Sequence, residues 1–290
     1  MFKGSIVAIV TPLRNNELDE EAYRELIEFQ IEKGTSAIVP AGTTGESATL
    51  SMKEHARVLD VAVKAVNKRV PVIAGTGGNN TNEAIELTAH AKKVGADATL
   101  QVTPYYNKPT QEGLYQHFKA VAKAAALPQV LYNVPGRTSV NLLPTTVARL
   151  AELPEVVAIK EASGNLVQMA EIVNLVGDKI ALLSGDDNLT LPVLALGGTG
   201  VISVVANIVP RDTADMVSAW ERGDYARSKD LFYKLLPLCQ AMFYETNPIP
   251  VKTALALIGK IKGEFRLPLV PISPDNEERL RKALKNYGLL

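Results

Sequence analysis

Eight short runs rich in Val, Ile and Ala are spread along the chain, each followed by a longer stretch with helical period, and few folds accommodate that alternation. The runs are Ser5–Thr11, Ala37–Ala41, Pro71–Gly75, Ala98–Thr103, Gln129–Val134, Val156–Glu161, Ile180–Ser184 and Gly200–Ala206. Apolar strands of this kind are buried on both faces, as in parallel sheets covered by helices. Their spacing, roughly 20–35 residues, is that of β-α repeats around a barrel. Helical stretches fill the gaps at Glu20–Glu32, Lys53–Asn67, Asn82–Lys93, Glu112–Ala125, Pro144–Glu152, Leu166–Leu175 and Leu189–Leu196, with Asp19, Ser51, Thr110 and Asn188 as capping or turn residues at their starts. Pro210–Arg222 reads as the helix after the eighth run. From about Asp224 only helical period remains, at Ala226–Phe243, Val251–Ile258 and Asp275–Asn286.

The predicted fold is therefore an α/β TIM (β/α)8 barrel over residues 1–223 with a helical C-terminal extension over 224–290. An open doubly wound sheet shares the alternation, but eight repeats without a two-part break in composition favour closure. In such a barrel the chemistry sits where strands end and the following loops begin.

Charge narrows the partners. Lys plus Arg total 31 and Asp plus Glu total 31, so no global field draws the chain to nucleic acid or to an anionic membrane, and neither is an expected partner. Cys239 is the only cysteine, which excludes an intrachain disulfide and a Cys-based zinc site and fits a reducing compartment. The apolar run from Ser5 stops at Thr11-Pro12 before it takes signal-peptide form, and no stretch approaches the ~18–20 apolar residues of a membrane span. A cytoplasmic location is expected.

Lys160 stands inside an apolar run. Strand alternation puts Ala158, Lys160 and Ala162 on one face and Val157, Ile159 and Glu161 on the other, and the small-residue face suits a crowded barrel interior. Burial there favours the neutral amine, a nucleophile toward a carbonyl. The plain alternative is a lysine paired with an acid or capping the barrel mouth. On the preceding strand Val130, Tyr132 and Val134 share a face, so an inward Tyr132 falls within reach of Lys160, as a proton carrier or as a packed core tyrosine.

Arg137, in the loop Pro135–Thr138, has the fork that grips a carboxylate, unless it is an ordinary surface arginine. The loop Gly42–Ser47, GTTGES, has glycines and hydroxyls suited to an anionic group without the spacing of a P-loop or a dinucleotide fingerprint. Tyr105-Tyr106 follows the fourth run, where adjacent side chains point apart and an interface patch is the plain reading. His55, His90 and His117 lie on separate helices with no paired spacing, and Asp186-Asp187 alone is a poor transition-metal site, so no metal is expected. Leu196–Gly200, LGGTG, precedes the eighth strand, on the wrong face for a barrel phosphate site, and reads as a turn.

Taken together, GTTGES at Gly42–Ser47, YNVPGRT at Tyr132–Thr138, IKEA at Ile159–Ala162 and SGDD at Ser184–Asp187, between GSIVAIVTP at Gly4 and NPIPVK at Asn247, resemble the dihydrodipicolinate synthase family of pyruvate-dependent class I aldolases over essentially the whole chain. The resemblance implies a lyase of lysine and diaminopimelate biosynthesis that needs no cofactor. In it, Lys160 forms a Schiff base with pyruvate, and the enamine attacks L-aspartate 4-semialdehyde before cyclisation. It also implies a homotetramer, a dimer of dimers. Tyr132 would then be the proton shuttle, linked through Thr43 to Tyr106 of a neighbouring subunit. Thr44 would hold the pyruvate carboxylate, Arg137 the semialdehyde carboxylate, and Gly185 and Ile202 would contribute backbone groups. Many members bind L-lysine as a feedback inhibitor, and the matching positions are Ser47, Ala48, His55, Asn79, Glu83 and Tyr105. Met52 stands where lysine-sensitive bacterial members often have a second histidine. Sister aldolases acting on N-acetylneuraminate or keto-sugar acids share the lysine and tyrosine, and a non-catalytic barrel sensing lysine or pyruvate is compatible with the fold.

Overall fold

The structure, a computed structural model, describes residues 2–290. Its eight barrel strands are β1 (Gly4–Ala8), β2 (Ala37–Val39), β3 (Ile73–Gly75), β4 (Ala98–Val102), β5 (Gln129–Asn133), β6 (Val156–Glu161), β7 (Ala181–Ser184) and β8 (Gly200–Ser203). All pair in parallel in the order β2-β1-β8-β7-β6-β5-β4-β3. An isolated parallel bridge from Ile38 to Val72 joins β2 to the entry of β3 and closes the ring. The eight predicted runs are these eight strands.

Alternation along the strands sorts the core into layers. Ile6, Ala8, Val39, Ile73, Leu100, Val130, Ala158, Leu183 and Ile202 fill the interior. Leu131, Ile159 and Leu182 face outward against Phe118, Val147 and Met169 of the surrounding helices. Each such buried side chain contributes on the order of 1.5–3 kcal/mol relative to exposure. Val157 breaks the predicted parity: with Ala158 it packs against the interior, because the pairing of β5 with β6 shifts after Gln129.

The capping residues Asp19, Ser51 and Thr110 accept from Ala22, Glu54 and Gly113 amides, and Ser51 with Glu54 completes a capping box. Asn188 does not cap. It lies in a 3-10 turn, Asp187–Leu189, that runs straight into the helix Thr190–Ala195, leaving no free helix start for it to cover. β1 ends at Ala8 and β8 at Ser203, earlier than predicted. Asn207, in the 3-10 turn Val205–Asn207, donates to the Ala8 carbonyl and accepts from Val10 N–H, replacing strand pairing there. A small hairpin, Leu13–Arg14 with Glu17–Leu18, was not anticipated. Its signal was Asn15-Asn16, both at positive φ as such a turn requires.

After the barrel come the helices Tyr225–Ala241, Ile249–Leu257 and Pro274–Tyr287. Leu235, Leu238, Val251, Leu255, Leu280 and Leu284 join one continuous cluster with Val7, Ile38 and Leu59, so these helices share the barrel's outer core. Among the described residues no helix is long and apolar enough to cross a membrane.

Candidate active site

Tyr132 and Lys160 are Cα partners across β5 and β6, near the carboxyl ends of both strands. Both are almost fully buried, 6% and 5% exposed, and Lys160 Nζ lies 4.2 Å from the centroid of the Tyr132 ring. The negative face of an aromatic ring attracts a cation placed over it at this distance. Among the described residues Lys160 forms no ion pair, which removes the plain alternative of a lysine committed to an acid.

The carboxylates nearest in effect lie on the loop after β7. Asp186 is pushed up to about 6, chiefly by burial, with the charge of Lys160 opposing and those of Asp187 and Glu161 adding to the rise. Burial also raises Asp187, whose Oδ2 accepts from the Val204 and Val205 amides at 3.0 and 2.9 Å and so fixes the turn after β8. Gly185, between β7 and Asp186, donates its N–H to the Glu161 carbonyl at 2.7 Å. A Cβ there would sit 2.5 Å from that of Ala162, so only glycine allows this approach. Ile202 lines the interior on β8.

Thr44, in the loop after β2, is buried, and its Oγ1 accepts from Asn247 Nδ2 at 3.0 Å. Arg137 is exposed on a one-turn helix, Pro135–Thr138, instead of the predicted loop, and its Nη2 donates to the Asn247 carbonyl at 3.0 Å. Asn247 thus ties together the two residues predicted to hold carboxylates. Within NPIPVK, an amide just before a proline-rich helix start is its only sequence signal. Next to Thr44, Glu46 is held at φ 56 and pairs with Lys252 of the C-terminal region, both wholly buried. Burial pulls the Lys252 ammonium down, against the attraction of Glu46.

Thr43 is half-buried in the same loop, and among the described residues its hydroxyl makes no hydrogen bond to Tyr132 or Tyr106. Tyr106 is 90% exposed with φ 73, and among the described residues it makes no hydrogen bond to Tyr132 or Lys160. The remaining predicted set gathers partly elsewhere. Asn79 Nδ2 donates to the Tyr105 carbonyl at 3.2 Å, and Glu83 lies close enough to raise the Tyr105 hydroxyl, although burial is the larger cause. Ser47 and Ala48 form a 3-10 turn with Thr49, and His55 Nε2 is engaged by the Gly75 carbonyl at 2.6 Å. Burial lowers His55, favouring its neutral form.

An eight-stranded parallel barrel that stacks a buried, unpaired lysine on a tyrosine at the strand ends is of the class that activates carbonyl substrates through an amine. The chain belongs to the dihydrodipicolinate synthetase family, whose model it matches over residues 1–287. It is 61% identical over 290 residues to the 4-hydroxy-tetrahydrodipicolinate synthase of Geotalea uraniireducens strain Rf4, covering all of both chains. Among solved structures it is similar to the chloride-inhibited dihydrodipicolinate synthase from Acinetobacter baumannii complexed with pyruvate, with 49% identity, TM-score 0.98 and full coverage of both chains. It also resembles that of Cyanidioschyzon merolae with lysine bound, with 45% identity and TM-score 0.97, over 100% of this chain and 99% of the other.

Proposed function

We propose that this chain is a 4-hydroxy-tetrahydrodipicolinate synthase, a lyase that condenses pyruvate with L-aspartate 4-semialdehyde. The observation that carries the reading is the buried Lys160, stacked on Tyr132 without an acid partner, in a chain whose full-length relatives bear that name. Lys160 Nζ adds to the keto carbon of pyruvate, and loss of water leaves a protonated imine. The imine draws electrons from the adjacent methyl, which gives up a proton to form the enamine. The enamine carbon then attacks the aldehyde carbon, whose oxygen takes up a proton. Attack of the semialdehyde's own amine on the imine carbon closes the ring and frees Lys160.

Tyr132 carries protons in this scheme, with Thr43 continuing the relay to Tyr106 of a second copy. The exposure of Tyr106 supports that sharing, and a homotetramer follows from the same reading. Thr44 anchors the pyruvate carboxylate and Arg137 that of the semialdehyde, with Gly185 and Ile202 supplying backbone groups. L-lysine would bind at Ser47, Ala48, His55, Asn79, Glu83 and Tyr105. A cytosolic setting, and a division into a catalytic barrel at 1–223 and a helical domain at 224–290, belong to the proposal too.

Borohydride reduction with pyruvate, followed by peptide mass spectrometry, tests the reading. A reduced pyruvate adduct on Lys160, with turnover of pyruvate plus aspartate semialdehyde, supports it. Turnover only with N-acetylmannosamine would assign a sister aldolase, and absence of any adduct would leave a non-catalytic barrel.

A further inference from the structure

Directly behind the Tyr132–Lys160 pair, on the outward face of the same two strands, lies a second pair the reaction does not use. Asn133 and Glu161 are Cα partners, and both side chains are completely buried. Glu161 only accepts hydrogen bonds. Its Oε1 takes Ser163 N–H at 2.7 Å and Asn133 Nδ2 at 3.2 Å, and its Oε2 takes the same Nδ2 at 3.0 Å and Gln168 Nε2 at 3.2 Å. Asn141 closes the cluster: its Oδ1 accepts from Asn133 and Gln168, and its Nδ2 donates to Gln168 Oε1. Asn133 Oδ1 accepts from Leu142 N–H. Every neighbour donates to the carboxyl, an arrangement that suits its anionic form, while burial, the larger cause, pushes it up.

The register explains what such a cluster is for. Gln129 pairs with Val156, but Val130 pairs with Ala158, so one residue of β6 is skipped. Continuing the first pairing would place Tyr132 opposite Ile159 and Asn133 opposite Lys160, turning Lys160 out of the barrel, because a slip of one residue flips every side chain. The Asn133–Glu161 contact exists only in the shifted register. Glu161 also holds the next strand, since its carbonyl receives the Gly185 N–H.

We propose that Glu161 is a positioning residue whose buried carboxylate, clamped by Asn133, Ser163 and Gln168, locks β5 and β6 in the one register that faces Lys160 toward Tyr132. The inference rests on the proposed role of those two residues. It acts on the geometry of the reacting pair and leaves alone the carboxylate anchors Thr44 and Arg137, which hang on Asn247.

Glu161→Gln tests it. A side-chain amide in this place turns N–H toward groups that themselves donate, so the clamp loses bonds without losing volume. At a temperature where the variant is fully folded, kcat should fall about 10²-fold, as misplacement of a reacting group by an ångström does, with KM for both substrates within about twofold of the parent. Borohydride trapping of pyruvate on Lys160 should slow in parallel. The swap Glu161→Gln with Gln168→Glu returns one carboxylate to the cluster and should recover much of the lost kcat. Unchanged kcat in folded Glu161→Gln, with only a lower Tm, would overturn the proposal, as would a swap that restores stability without kcat. If Glu161→Gln does not fold, Gln168→Ala, which removes a single donor, should lower kcat about tenfold; a parent-like kcat overturns the proposal equally. Failure of the parent enzyme to form any pyruvate adduct would instead strike at the proposed function.

Discussion

Tyr132 faces Lys160 because the strand that carries the lysine is one residue longer than its neighbour requires. Between Val156 and Ala158 the pairing of β6 with β5 passes over Val157, and the Tyr132 and Lys160 side chains then share the interior face. In the unshifted register the phenol would look inward alone, with the amine among the outer helices.

Replacing each member of this pair should separate binding from proton transfer. Lys160→Ala should abolish the borohydride-trapped adduct altogether. Tyr132→Phe should still form it, while turnover drops by roughly the 10²–10⁴ expected for a missing proton-transfer group. Steady-state kinetics beside mass spectrometry read both, and an unimpaired Tyr132→Phe enzyme would contradict the assignment.

The strand positions were legible because buried parallel strands leave short apolar runs rich in β-branched residues between helical stretches, and the inward face of Lys160 followed from Ala158 and Ala162 flanking it. The skipped Val157 left no comparable mark: a valine suits either face, and the shift is a property of pairing between strands. Asn247 was illegible for a similar reason. Its partners Thr44 and Arg137 lie 203 and 110 residues away, and contacts across such separations carry no local pattern. Tyr106 shows the opposite limit, for the role proposed for it rests on a second copy of the chain, which no pattern within one sequence reports.

The two halves of Asn247 serve different residues, which makes a selective prediction possible. Its side chain donates to Thr44, and its backbone carbonyl accepts from Arg137. Asn247→Ala removes the first contact and keeps the second, so KM for pyruvate should rise several-fold while KM for the semialdehyde changes little. Arg137→Ala should show the reverse pattern. Initial-rate measurements varying each substrate in turn distinguish the two.

The Glu46–Lys252 pair joins the threonine loop to the C-terminal helices with both charges fully buried. Removing one partner leaves an uncompensated charge, so Lys252→Met should cost about 3–5 kcal/mol. Pairing it with Glu46→Gln should recover a good part of that loss, because no ion then remains to be desolvated. Chemical denaturation of the parent, the single and the double variant measures the difference.

Asp186 gives a pH dependence whose sign is fixed. Its folded pKa of about 6 lies above the ordinary carboxylate value, chiefly through burial, with Asp187 and Glu161 adding to the rise and Lys160 opposing it. Between about pH 4 and 6 the folded chain therefore holds a proton that the unfolded chain has released. Stability contributed by this group falls as pH rises through that window, and above it the folded state bears the full cost of a buried carboxylate. Asp186→Asn carries no titrating proton, so the variant should gain on the parent as pH rises from 4 to 6 and hold that gain at neutral pH. Denaturation midpoints for both proteins at several pH values across the window give the comparison directly. A constant difference would mean that Asp186 titrates as an ordinary solvated carboxylate.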